Sequence, residues 1–150
     1  MNRFFIFICL LTLSQTAIAQ KQFINPEALL KPSGYTHVVV SGPGKTIYIS
    51  GQVPVSATGE IVGKGDLKVQ VKQVYENLKL CLAAAGATFD DVVKMNTYVV
   101  NYKPEYIITI REVRSGYLSS QNQPASTLAG VQALYHPDVM IEIEAIAIVN

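Results

Sequence analysis

Two carboxylates stand out first. Glu142 and Glu144 lie in the run Ile141-Glu142-Ile143-Glu144-Ala145-Ile146, where every other residue is apolar. Read as a β-strand, its two-residue period puts both carboxylates on one face, opposite Ile141 and Ile143. That face is either solvated, because carboxylates are rarely buried without a partner, or it borders a cleft. In a cleft a carboxylate can orient or deprotonate a water molecule. Other chemistry-bearing patterns fall away. Gly44-Lys45-Thr46 matches the end of a phosphate-binding loop, but the pattern needs Gly where Val39 stands, and a strand, Ile47-Tyr48-Ile49, follows where a helix should. There is no G-x-S-x-G elbow, and neither His37 nor His136 has the Ser/Asp context of a triad. Two His among scattered carboxylates form no metal-ligand cluster, so no metal is expected.

The elements that must position these residues follow from local patterns. Asn25 to Gly34, with Pro26 and Pro32, is an irregular lead-in. The β-rich runs His37–Val40 and Thr46–Ser50 flank Ser41-Gly42-Pro43-Gly44-Lys45, turn chemistry that predicts an antiparallel hairpin. Residues 51–65 form a long loop. Asp66 is an N-cap for a helix to about Ala85, with Gly86 as its stop. Val71, Val74, Leu78, Cys81 and Leu82 make its apolar stripe, so Cys81 faces the core as a buried, inert thiol. Val92–Val100 is an alternating strand with Met95, Thr97 and Val99 on one face. Pro104 opens a second helix over about Glu105–Leu118. Strands over Thr127–Leu134 and Met140–Val149 complete the order β-β-α-β-α-β-β, an α+β domain with both helices on one face of a mixed sheet. Val39, Tyr48, Val99 and Val131 cannot all face the helices, so the other sheet face calls for a partner, by default a closed homo-oligomer.

The chain has 150 residues, 49% hydrophobic and 15% charged. That is one domain with a core, and it is not a disordered chain. Arg3, the run Phe4 to Leu11 and the small-residue site Ala17-Ile18-Ala19 describe a secretory signal peptide over residues 1–19, leaving a single domain over 20–150 in the periplasm or outside the cell. The apolar run is too short to span a membrane, and no membrane association is expected after cleavage. Removal of Arg3 brings 12 Lys+Arg level with 11 Asp+Glu. Without a basic excess, nucleic acid is not an expected partner. Cys9 leaves with the peptide, and Cys81 is then alone.

Taken together, Tyr35, Ser50-Gly51-Gln52-Val53-Pro54, the Asn77-Leu78 helix ending Ala84-Ala85-Gly86, Val92-Val93-Lys94 and the terminal Ile141 to Ala147 run resemble the Rid family. These are the reactive intermediate deaminases, also called YjgF-like or L-PSP endoribonuclease-like. The resemblance spans about Asn25 to Val149. It implies a chorismate-mutase-like α+β fold and a homotrimer with inward-facing sheets and three clefts between subunits. In deaminating members those clefts bind a small 2-imino or enamine carboxylate and hydrolyse it to a 2-keto acid and ammonia, without cofactor or metal. The resemblance makes Glu142 the water-positioning carboxylate and puts Tyr35, Ser50 and Gly51 on the cleft wall.

One departure stands out. Deaminating members carry an Arg in a Pro-Ala-Arg-Ser-type segment, and that Arg grips the substrate carboxylate. Here the segment is Pro124-Ala125-Ser126-Thr127, with Ser126 at the Arg position. A hydroxyl does not replace a planar five-donor fork. The Tyr135-His136-Pro137 turn also departs from the family's Leu-Pro turn. Arg111 and Arg114, one turn apart on the second helix, are either surface residues or a replacement grip, with Arg111 near the position of a family cleft Asn. Two functions compete: a deaminase of small imines, or a non-catalytic exported trimer that binds a small ligand at its clefts. RNA cleavage, suggested by the older family name, is the least expected, because the chain left after cleavage has no formal net charge and no basic run.

Overall fold

The computed structural model describes residues 21–149; the expected signal peptide lies outside the described residues. The elements run β1 (Gln22–Ile24), β2 (Val38–Val40), β3 (Lys45–Gln52), α1 (Leu67–Ala84), β4 (Val92–Val100), α2 (Tyr106–Arg114), β5 (Ala125–Val131) and β6 (Ile141–Val149). β3, β6, β4 and β5 form one mixed sheet in that spatial order, with β4 and β5 parallel and the other pairs antiparallel. Two helices on this sheet give the α+β architecture read from the sequence.

The expected hairpin between residues 37–40 and 46–50 does not form. β2 pairs with β1, Phe23 opposite Val39, while β3 pairs with β6, Tyr48 opposite Ile146. The Ser41–Gly44 segment separates the two runs, but a long partner close by in space wins over the short neighbour in sequence. β1 itself lies in a stretch with no strand pattern. The third β run also starts earlier than expected, at Ala125, and α2 ends at Arg114, with turns carrying the chain on to Leu118.

α1 follows its sequence signals. The Asp66 carboxylate accepts the Val69 N–H at 3.1 Å, and Gly86 takes φ +73 just past the helix end. Its stripe of Val71, Val74, Leu78 and Leu82 is buried against Met95, Val99, Ile141, Ile143 and Ala147. Cys81 packs at the edge of this core and is only half-buried, a less enclosed place than expected. Gln70 is fully buried within it. Its side chain donates to Asp138 O at 2.7 Å and accepts the Met140 N–H at 2.8 Å, which fixes where β6 begins. Among the described residues no helix covers the opposite sheet face, where Tyr48 is 79% exposed. Val99 faces the helices, and Val39 belongs to the small sheet. Among the described residues no helix is long and apolar enough to cross a membrane.

Candidate functional site

β6 alternates as its sequence demands. Ile141, Ile143 and Ala145 are buried beneath the helices, and Glu142 and Glu144 are half-buried on the uncovered face. The two carboxylates differ in what surrounds them. Glu144 Oε1 accepts from Asn96 Nδ2 at 2.6 Å and from the Tyr98 hydroxyl at 3.2 Å, both on neighbouring β4. Among the described residues no hydrogen bond or ion pair engages the Glu142 carboxylate. Glu142 is therefore the one left available for a proton or a water molecule.

β3 brings the residues that face it. Ile49 pairs with Ala145, but the next pairing is Gln52 with Ile143, so Ser50 and Gly51 carry one residue too many. Such a bulge bends the strand and re-aims its side chains. It sets Gly51 directly against Glu142: a Cβ at position 51 would lie 1.8 Å from Glu142 Oε1. The chain beyond is fastened to α1, where Asn77 Nδ2 donates to Val53 O at 2.9 Å and to Val55 O at 3.0 Å. Beside the bulge, Tyr48, Ser50, Lys94, Asn96 and Glu144 line a cavity of about 270 Å³. Lys94 Nζ also donates to Thr127 Oγ1 at 2.6 Å on neighbouring β5. Sequence reading names Lys94 only within the family resemblance and does not single out Asn96 or Tyr98, although the alternation that turns Met95 and Thr97 inward turns all three outward.

A second cavity, of about 180 Å³, lies on the helix side of the sheet. Tyr35, Thr97, Arg111, Arg114 and Ser126 are among its lining residues. Thr36 forms a bridge with Ala125, and its N–H donates to Pro124 O at 3.2 Å, which places Tyr35 beside the start of β5. Arg111 Nη2 donates to Ser33 O at 2.9 Å, and Arg114 Nη2 donates to Gly34 O and to Gln123 Oε1. Gly34 has φ +76, a conformation that suits glycine. Burial holds the Arg114 guanidinium below its ordinary pKa; Tyr75 opposes this and Arg111 adds to it. Burial likewise pushes Tyr75 up to about 12, with Arg114 pulling the other way.

The six expected site residues thus form two groups. Ser50, Gly51 and Glu142 gather on the uncovered face, and Tyr35, Arg111 and Ser126 gather in the cavity on the helix face. The sheet separates them within one chain. Arg111 is exposed and tied to a backbone carbonyl, and it also lines the cavity with Ser126, so the two readings of it meet in one place. Arg114 is partly buried.

Comparison with known proteins adds lineage to this geometry. The family model described as Endoribonuclease L-PSP matches residues 26–149. A RutC family protein of Pyrococcus abyssi (strain GE5 / Orsay) is 40% identical over 129 residues, 85% of this chain and 96% of the relative. A 2-iminobutanoate/2-iminopropanoate deaminase of Dermatophagoides farinae is 28% identical over 134 residues, 89% of this chain and 100% of the relative. The crystal structure of a protein of unknown function of the conserved Rid family, YyfB from Yersinia pestis, superposes with a TM-score of 0.81. That chain is 42% identical, and the match covers 86% of this chain and 98% of the other.

Proposed function

This chain belongs to the endoribonuclease L-PSP (Rid/YjgF) family, and on that premise we propose that it is a hydrolytic deaminase of small 2-imino or enamine acids. The observation that carries the reading is the Glu142 carboxylate, uncommitted and seated on the Ser50–Gly51 bulge while Glu144 is held by Asn96 and Tyr98. The name of the mite relative, which is a 2-imino acid deaminase, supports the same chemistry.

In this reading Glu142 accepts a proton from water as the oxygen attacks the imine carbon. The C=N bond becomes a C–N single bond in a tetrahedral carbinolamine. Glu142 returns that proton to nitrogen, giving the amino group, and then carries the hydroxyl proton to the same nitrogen as the C–N bond breaks, so that ammonia leaves and the C=O of the 2-keto acid forms. No redox partner is needed for this balance. Ser50 and Gly51 shape the floor beneath the reacting carbon, and Tyr35 and Ser126 supply hydroxyls to the cavity wall.

The two groups of residues lie on opposite faces of one sheet, so the reading includes assembly into the homotrimer implied by the family resemblance. A cleft between copies, with Glu142 from one and the Tyr35–Ser126 cavity from its neighbour, would complete the site and cover the exposed Tyr48 face. The reading also includes export, carried by the N-terminal pattern over residues 1–19. The relatives named above lend no support to a non-catalytic trimer, and a formal net charge of +1 gives RNA little to bind.

The test is release of 2-keto acid from 2-iminopropanoate generated in situ, with Glu142→Ala run alongside. Turnover above background, lost in the variant, is the expected result. Equal rates for the two proteins would overturn the assignment of Glu142. No turnover from either protein would overturn the deaminase reading.

A further inference from the structure

We propose that Arg111 and Arg114 form an anion-binding end to the cavity beside Ser126, and that the ligand this cavity fits is a small dicarboxylate. On the deaminase reading, that ligand is a 2-imino acid with an acidic side chain. The inference rests on that reading only for the fate of the ligand; the binding argument stands on the cavity itself.

The charge balance of the lining comes first. Two guanidinium groups line a space to which, among the described residues, no carboxylate contributes. The lysine ion pairs among the described residues lie elsewhere: Lys68 takes Glu112, Lys64 takes Asp138 and Lys21 takes Asp91. Neither arginine has an acidic partner among them. Arg114 is partly buried, and a cation taken partly out of water without a counter-charge is costly unless something anionic completes it.

The arginines are also pre-oriented. Arg111 is tethered through Nη2 to Ser33 O, and Arg114 through Nη2 to Gly34 O and to Gln123 Oε1, so consecutive backbone carbonyls at Ser33 and Gly34 help aim both forks. A guanidinium has five N–H donors, and these tethers, all through Nη2, leave Nε and Nη1 for a carboxylate in the planar, two-bond geometry that arginine favours. Holding the forks in place beforehand lowers the entropy lost on binding. The Tyr35 and Ser126 hydroxyls border the same space.

Size and charge then narrow the ligand. A volume of about 180 Å³ is below the range of drug-sized pockets, so a molecule of few heavy atoms fits. A single carboxylate would offset one of the two positive charges. A second carboxylate offsets the other. Ser126 contributes no charge, so the cationic end is built from α2 and not from β5.

The experiment is isothermal titration of the purified chain with 2-oxoglutarate and, separately, 2-oxobutanoate, stable keto acids that report binding without turnover. The dicarboxylate is expected to bind at least tenfold more tightly. Arg111→Gln is expected to lose at least tenfold in 2-oxoglutarate affinity, with Arg111→Lys in between and the α1 surface variant Lys72→Gln unchanged. Arg111 is exposed, so these variants are expected to fold, and thermal unfolding checks it. Equal affinities for the two keto acids, or wild-type binding by Arg111→Gln, would overturn the inference. A dicarboxylate preference without turnover of any imine would leave the anion site standing and remove the deaminase reading; turnover of imino monocarboxylates without that preference would do the reverse.

Discussion

Gly51 and Glu142 are packed so closely that position 51 has no room for a side chain: a Cβ there would sit 1.8 Å from Oε1 and 2.7 Å from Cδ of the glutamate. The contact is made by the β3 bulge, which pairs Gln52 with Ile143 one step out of register. A glycine at 51 is thus the condition for the carboxylate to stand where it does.

Gly51→Ala is expected to move the Glu142 carboxylate while leaving the fold nearly unchanged. The clash falls on the far end of a flexible side chain, which can swing away, and no left-handed backbone is needed at 51. Displacing a catalytic group by about 1 Å can cost on the order of 100-fold in rate. A fall in turnover of that size, with an unfolding midpoint close to wild type, is the expected result. Wild-type turnover in Gly51→Ala would mean that the observed position of Glu142 is not the working one.

The contact also shows what the sequence could and could not reveal. Alternation along Ile141–Val149 was enough to put Glu142 and Glu144 on one face, because period two is a local property. Period two cannot choose between them; the family resemblance picks Glu142, and the physical reason lies with Asn96 and Tyr98, which reach Glu144 from β4, more than forty residues away. The β2–β3 hairpin failed for the same reason. Its Gly-Pro-Gly segment does break the chain between β2 and β3, but β3 has eight residues and its register with β6 begins at Lys45 and Val149, more than a hundred residues apart in sequence. Local turn chemistry carries no information about that distant partner. The Arg111–Arg114 cavity depends on carbonyls of Ser33 and Gly34, and backbone acceptors leave no mark in a residue pattern. Where one element decides its own form, as in the Asp66-capped α1, reading and structure agree.

Stability is expected to fall steeply in alkali, with Tyr75 responsible for part of the slope. Burial pushes its pKa up to about 12, against an ordinary 10.0. Tyr117, stacked on it at 4.9 Å, is also raised to about 12 by burial and by its 2.6 Å hydrogen bond to Glu76. Both groups favour the protonated form in the folded state. Their contribution is therefore complete below pH 10, where the unfolded chain is protonated too, and is lost as pH rises from about 10 to 12. Tyr117 is partly solvated and is screened, so Tyr75 carries the clearer effect. Tyr75→Phe should flatten the alkaline limb, sparing on the order of 2 kcal/mol by pH 12. Urea unfolding at a series of pH values from 8 upward measures it, and parallel curves for the two proteins would count against a buried, neutral Tyr75.

The separation of the two residue groups by the sheet leads to the sharpest test of assembly. If each cleft takes Glu142 from one copy and Tyr35 from the next, Glu142→Ala and Tyr35→Ala disable the same cleft from different chains. In a cyclic trimer holding both variants, one cleft of each mixed assembly then pairs two intact faces. Random mixing at equal amounts makes about three quarters of trimers mixed, so co-refolded variants should recover about a quarter of wild-type turnover, although each alone has none. Lesions confined to one chain's own site cannot complement in this way, because every chain carries one of them. Turnover that stays at background after co-refolding, with light scattering confirming trimers, would place the complete site within a single copy and would require Glu142 to act without the Tyr35–Ser126 cavity.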